Sequence, residues 1–279
     1  MREIAAEAVT ETVARLCIKA NYQLGCDVMT AFERSQALET SDTARVVLDQ
    51  LIENAKIAAE GELPMCQDTG LTVVFVELGG DAHVAGDLSA AIDEGVRRGY
   101  ETGYLRKSVV RDPIDRVNTK DNTPAIIHYD VVPGDAIKIT VAPKGVGSEN
   151  MSRLAMLKPS DGIEGVRRFV LETVRLAGPT PCPPIVVGVG VGGNMERACL
   201  IAKRALVREI GSANPDPYWA GVERELLEEI NELDIGPAGL GGRTTALAVH
   251  VEAFATHIGG LPVAVNIGCH ASRHAAATL

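Results

Sequence analysis

Ile185-Val186-Val187-Gly188-Val189-Gly190-Val191-Gly192-Gly193-Asn194 decides the fold. Fed by the proline-rich stretch 179–184 and followed by helical periodicity over 194–210, this β-branched run reads as a buried strand opening into a helix. It also matches G-x-G-x-x-G, the turn that seats a dinucleotide pyrophosphate at a helix N-terminus. A nicotinamide site would need an acidic residue about 20 positions on, closing a second strand. Glu209 instead falls within a helix, and another helix follows at 216–233. The glycines are therefore read as points of close backbone packing, with amides near Asn194 open to an anion.

The same buried-strand character marks Leu71 to Leu78, after the break Gly61-Glu62-Leu63-Pro64. Upstream, residues 3–60 read as two or three amphipathic helices. The last is capped at Ser41-Asp42, with Ala44, Val47, Leu48, Leu51, Ile52 and Ala55 at helical spacing. Downstream the pattern predicts a helix over 87–106, strands over 124–132 and 135–142 joined at Pro133-Gly134, and a polar loop over 144–150. A helix over 161–177, a glycine-rich turn at 236–242, strands over 247–255 and 263–267, and a short final helix complete it. No internal repeat or long linker is visible. The fold class is mixed α/β (α+β): one domain over 1–279, with a helical lobe of about residues 1–60 on an α/β body of about 61–279.

Hydrophobic residues make up 46% of the 279-residue chain and charged residues 23%, as in an ordinary globular protein. Aromatics at 4% and a formal net charge of −10 argue against nucleic acid and against an anionic membrane surface. Met1-Arg2-Glu3-Ile4 opens without a signal-peptide apolar core, and no apolar run reaches the roughly 18 residues a span needs. A cytoplasmic protein with reduced cysteines is expected, which favours metal or catalytic roles over disulfides.

Six cysteines divide into two groups. Cys17 and Cys199 fall in step with helical apolar residues and read as small core hydrophobes, and Cys26 as incidental. Cys66 in Met65-Cys66-Gln67-Asp68-Thr69-Gly70, Cys182 in Pro181-Cys182-Pro183-Pro184 and Cys269 in Gly268-Cys269-His270 lie beside groups that do proton or anion chemistry. They are too widely spaced for a zinc finger or a C-x-x-C pair. Three thiolates gathered by folding suit a cluster with one open iron. An electron-transfer module would normally close its cluster with four.

Asp68, two residues after Cys66, is placed to act as a base beside whatever binds the open iron, although Asp68-Thr69-Gly70 is also ordinary Asx-turn chemistry. Arg106, Lys107, Arg111, Arg116 and Lys120 form the densest local source of guanidinium forks for a dicarboxylate. His83, His128 and His250 read as surface or core residues. His257 ends an apolar strand before Gly259-Gly260, where it can face a cleft, and His270 and His274 flank the third cysteine.

Taken together, Cys66-Gln67-Asp68-Thr69-Gly70, Gly147-Ser148-Glu149-Asn150, Cys182-Pro183-Pro184, Gly192-Gly193-Asn194, Gly239-Leu240-Gly241-Gly242 and Cys269-His270 resemble the iron–sulfur hydro-lyases of the class I fumarase type. The resemblance covers nearly the whole chain and is to the alpha subunit of the two-subunit form, whose relatives include L(+)-tartrate dehydratase. It implies a four-iron, four-sulfur (4Fe-4S) cluster on Cys66, Cys182 and Cys269, sited between lobe and body. It also implies Gln67 and Asp68 in the substrate pocket, Arg106 on a substrate carboxylate, Gly147 binding through its backbone, and His257 toward the reacting end, with Asp68 and His257 as catalytic groups. The implied reaction is hydration of fumarate to (S)-malate, with tartrate dehydration as the alternative. The single-chain enzymes carry further substrate groups in a C-terminal domain, so a separate beta subunit is expected to complete the site, in a dimer of alpha-beta heterodimers.

Overall fold

The computed structural model describes residues 2–279. Its elements run β1 (Arg2–Ala5), α1 (Ala6–Tyr22), α2 (Cys26–Leu38), α3 (Asp42–Gly61), β2 (Leu71–Gly79), β3 (Ala82–Ala85), α4 (Leu88–Thr102), β4 (Ile126–Val132), β5 (Ile137–Lys144) and α5 (Val146–Glu149). There follow β6 (Arg153–Leu157), α6 (Gly162–Ala177), β7 (Ile185–Gly192), α7 (Met195–Ala205), α8 (Pro217–Asn231), β8 (Ala246–Phe254), β9 (Leu261–Gly268) and β10 (Ala275–Thr278). The class is mixed α/β. Packing groups the chain into two compact units rather than cutting it near residue 60. The first unit holds the N-terminal residues up to Leu24, Asn54–Val146 and Arg273–Leu279; the second holds Gly25–Glu53 and Gly147–Ser272.

In the first unit the sheet order is β10-β5-β2-β4. β2 and β4 are parallel, joined through α4, while β5 is antiparallel to β2 and β10 antiparallel to β5. Strands β4 and β5, consecutive across Pro133-Gly134, therefore do not pair with each other, because β2 lies between them. Strand alternation turns Val74, Val76, Ile137, Ile139 and Val141 toward one core, which α1 closes with Val9, Val13, Leu16 and Ala20 at helical spacing, and α4 with Ile92 and Val96. Each such fully buried side chain contributes about 1.5–3 kcal/mol. Helix α4 starts where it does because the Asp87 carboxylate accepts from the Ala90 amide at 3.0 Å.

In the second unit the order is β6-β9-β7-β8, with β7 and β8 parallel, β9 antiparallel to β7, and β6 antiparallel to β9. On one face Val187, Val189, Val191, Val263, Val265 and Ile267 pack with α6 and α8. The other face takes α7 at very short range. A Cβ on Gly188 would come within 2.2 Å of the Ala202 carbonyl, and one on Gly190 within 2.1 Å of the Ala198 carbonyl. The glycine run is thus the packing surface for α7, as expected from the sequence.

Three local expectations are corrected. Residues 2–5 form a short strand paired with β3 instead of beginning a helix. The polar stretch after Lys144 contains the one-turn helix α5, and the final residues form β10, an edge strand on β5, where a helix was expected. Among the described residues no helix is long and apolar enough to cross a membrane.

Candidate functional site

In the first unit the loop 65–70 leads into β2, and Leu71, its first strand residue, pairs with Lys144 at the end of β5. The segment after β5 therefore lies beside this loop. The Asp68 carboxylate joins the two: Oδ1 accepts from the Gly70 amide at 3.0 Å, and Oδ2 from the Val146 amide at 2.9 Å. The first of these bonds is the Asx turn that the sequence allowed. Three buried side chains take the loop's successive carbonyls. Arg273 donates to Asp68 O at 2.7 Å, Tyr100 Oη to Thr69 O at 2.7 Å and Gly70 O at 3.2 Å, and Asn122 Nδ2 to Gly70 O at 3.2 Å. Burial pushes the Tyr100 phenol above its usual range, so it stays a donor.

Cys66 and Gln67 are held next to one another, the thiol 3.3 Å from Gln67 Oε1, with Gln67 exposed and Cys66 half-buried. Arg106 is exposed, and its carbonyl accepts from the Thr69 hydroxyl at 3.0 Å. Cys66, Gln67 and Asp68 thus lie on one short loop, to which the Arg106 backbone is tied through the Thr69 hydroxyl. Arg111 and Arg116 lie instead in the exposed loop 111–118, organised by Asp112, whose carboxylate accepts from the amides of Ile114 and Asp115 at 2.8 Å each.

The second unit repeats the arrangement. Cys182 lies in the loop leading into β7, and Cys269 directly follows β9, whose Gly268 pairs with Val186. The His270 amide donates to Cys182 O at 3.2 Å, and His270 Nδ1 lies 3.1 Å from the same oxygen. A carbonyl only accepts, so the ring carries its proton on Nδ1. Cys182 has φ +56°, outside the region ordinary side chains prefer, and its side chain is exposed while Pro181 and Pro183 are buried. That strain is the kind a fold retains where a side chain is needed outward.

Gly147 sits in α5, exposed, with Thr180 O 3.9 Å from where its Cβ would be. Glu149, in the same turn, pairs with Lys203 and accepts from Asn266 Nδ2 at 3.1 Å. His257 lies beyond the end of β8 in the exposed run 253–259. Its Nδ1 accepts the Gly259 amide at 3.0 Å, so the neutral ring carries its proton on Nε2.

Of the remaining histidines and cysteines, His250, His128 and Cys17 are structural, whereas Cys199, expected in the core, is exposed on α7. His250 is buried against Ala205 O at 3.0 Å, and burial holds its pKa below the ordinary value. His128 stacks on Phe75. Cys17 is buried, and desolvation pushes its thiol up to about 12. Among the described residues no disulfide forms, and no three His, Cys, Asp or Glu side chains make a ready metal-holding group. The donor chemistry still suits an iron–sulfur cluster: Cys66, Cys182 and Cys269 are loop thiols exposed or half-buried, unlike Cys17.

Two supporting residues escaped the sequence reading. Arg273 is one. Glu39 is the other, a carboxylate 1% exposed that accepts from the amides of Thr40 at 2.8 Å, Ser41 at 3.0 Å and Arg243 at 2.8 Å. It anchors the glycine turn 236–242, which in turn donates from the Ala238 amide to Pro183 O at 2.9 Å, beside Cys182. A charged residue predicted for the surface gives no sequence signal of such a partner.

A model of the fumarate hydratase (Fumerase) family matches residues 10–278. The chain belongs to that family. It is 45% identical over 274 residues, 96% of each chain, to a Methanocaldococcus jannaschii protein provisionally named L(+)-tartrate dehydratase subunit alpha. It is 34% identical over 276 residues to the L(+)-tartrate dehydratase subunit alpha of Escherichia coli strain UTI89, covering 98% of this chain and 91% of the relative.

Proposed function

We propose that this chain is the alpha subunit of a cytoplasmic hydro-lyase that interconverts fumarate and (S)-malate at a 4Fe-4S cluster held by Cys66, Cys182 and Cys269. When bound, the cluster supplies a Lewis-acid position for the hydroxyl and one carboxylate of the substrate. The chain's own groups do the rest. Arg106 forks a carboxylate, Gln67 and the Gly147 backbone orient the diacid, and Asp68 exchanges the proton on the carbon next to a carboxylate. His257, which presents Nε2–H, donates at the reacting end. In the hydration direction water supplies the hydroxyl to one carbon and a proton to its neighbour, so no electron is transferred.

The observation that carries this reading is the loop 65–70, which sets the Cys66 thiol beside Gln67, fixes the Asp68 carboxylate with two amides and holds the Arg106 backbone through the Thr69 hydroxyl. The "subunit alpha" names of the relatives support a separate beta subunit, and we propose a dimer of alpha-beta heterodimers. A second reading, dehydration of L(+)-tartrate to oxaloacetate, is favoured by those same names and needs only tolerance of a second hydroxyl.

Both readings are tested by purifying the chain anaerobically with its beta partner, measuring iron and sulfide, and assaying fumarate and L(+)-tartrate side by side. Turnover of fumarate supports the first reading, turnover of tartrate alone replaces it with the second, and turnover of neither overturns both. Replacing Cys66, Cys182 or Cys269 with Ser is expected to abolish activity and lower bound iron. Replacing Cys17 with Ser is not expected to lower it.

A further inference from the structure

Arg273 is 5% exposed, and one nitrogen of its guanidinium is held by two neutral oxygens. Nη1 donates to Asn21 Oδ1 at 3.0 Å and to Asp68 O at 2.7 Å, while Nε is buried with no partner among the described residues. A buried cation is costly to desolvate, and truncating its partners costs more again. A fold retains one where it fixes geometry that a neutral donor would leave loose. The oxygen it grips is the carbonyl of the residue whose carboxylate ties the loop 65–70 to Val146. The same guanidinium reaches the far side of that junction: Asp68 Oδ2 lies 3.2 Å, and Arg273 Nη2 3.4 Å, from where a Cβ on Gly145 would be. Gly145 leaves room for both groups, and Tyr100 and Asn122 hold the next two carbonyls of the loop.

We infer that Arg273 is a positioning residue that sets the placement of Cys66 and of the Asp68 carboxylate by clamping the Asp68 carbonyl from beneath. Its role is exerted through the loop 65–70 and not by binding the substrate or the cluster itself. The inference rests on the proposed roles of Cys66 and Asp68 for its catalytic consequence, but the loop-ordering itself does not.

Two variants test it, Arg273→Met, which removes the donors, and Arg273→Lys, which retains one charge-bearing donor. Amide exchange is read on the full chain without cluster. In Arg273→Met the amides of Gly70 and Val146, which donate to Asp68, are expected to exchange roughly tenfold faster, in line with losing a charge-assisted bond. The β7 amides of Val187 and Val189 keep their protection, and Arg273→Lys falls between. In the complex with the beta subunit, kcat is expected to fall by up to about 100-fold with little change in KM, the signature of a displaced reacting group.

Unchanged exchange at Gly70 and Val146 overturns the inference, as does an equal rise at β7, which would mark a general loss of stability. A raised KM with kcat retained also overturns it, because that marks direct substrate binding. If Arg273→Met does not fold, Arg273→Lys decides on the same readings. Faster loop exchange in a chain whose wild-type complex turns over neither fumarate nor tartrate upholds the positioning role and overturns the hydro-lyase reading.

Discussion

The sheet built on β2 and the sheet built on β7 have the same plan. Each has a central strand, a parallel neighbour reached through helix, and an antiparallel partner on the other side that carries a further antiparallel strand outside it. In each, a cysteine-bearing loop leads into the central strand and is hydrogen-bonded to the segment leaving the antiparallel partner: Asp68 to Val146 in one, Cys182 to His270 in the other. What differs is the packing. β2 presents Val74 and Val76 to α1 and α4, whereas β7 presents Gly188 and Gly190 to α7. One backbone plan therefore carries two unlike residue patterns, which is why the chain shows no repeat as a sequence.

The comparison can be broken most sharply at Gly190. Gly190→Val drives side-chain atoms into the Ala198 carbonyl, and a loss of about 3 kcal/mol is expected by urea denaturation. The opposite change at the equivalent layer of the other sheet, Val74→Ala, leaves a void in a well-filled core and is expected to cost about 2 kcal/mol. If Gly190→Val were tolerated, the glycine strand would not be a packing surface.

Thiol labelling sharpens the contrast between loop and core. In the chain without cluster Cys66, Cys182 and Cys269 are expected to react with an alkylating reagent while Cys17 does not. Cys17 also sets a pH limit. Its folded thiol holds its proton to about 12, whereas the unfolded thiol releases it near 9.0, so this contribution to stability is present below pH 9.0 and is lost as pH rises toward 12. Cys17→Ala should flatten that alkaline limb in denaturation midpoints measured against pH.

The smallest expected effect concerns His250 in the second unit. Its folded pKa is lowered by burial, so the unfolded chain takes up the proton first as pH falls below 6.5. Stability from this group is present above that pH and is lost on acidification. His250→Asn, which keeps a donor toward Ala205 O, should reduce the acid-side slope of stability while leaving stability at neutral pH nearly unchanged.

The strands β2 and β7, the helices α4, α6, α7 and α8, and the loop setting of Cys66 were legible because their patterns are local: β-branched runs, helical spacing and turn residues. The strand Ala275-Ala276-Ala277-Thr278 was not, since alanine favours helix and only the pairing with Val141, Thr140, Ile139 and Lys138 makes it extended. Nor was the placing of β2 between β4 and β5, because neither the loop length nor Pro133-Gly134 says which strand intervenes. Arg273 and Glu39 were missed for a related reason. Their partners are carbonyl and amide groups far away in sequence, which leave no mark on composition or periodicity. Around the site, the Asx turn at Asp68 was foreseen, whereas the Thr69 bond to Arg106 and the sharing of Cys182 O by His270 emerge only from the fold.

The threading of the chain has a consequence for how the molecule is made. Every strand of the β6-β9-β7-β8 sheet has been synthesised before Arg273 leaves the ribosome, whereas the other sheet lacks its outer strand, and the Asp68 carbonyl its clamp, until residues 273–279 emerge. The sheet of the second unit can thus close first on a nascent chain, and the loop bearing Cys66 gains its clamp only once Arg273 has emerged.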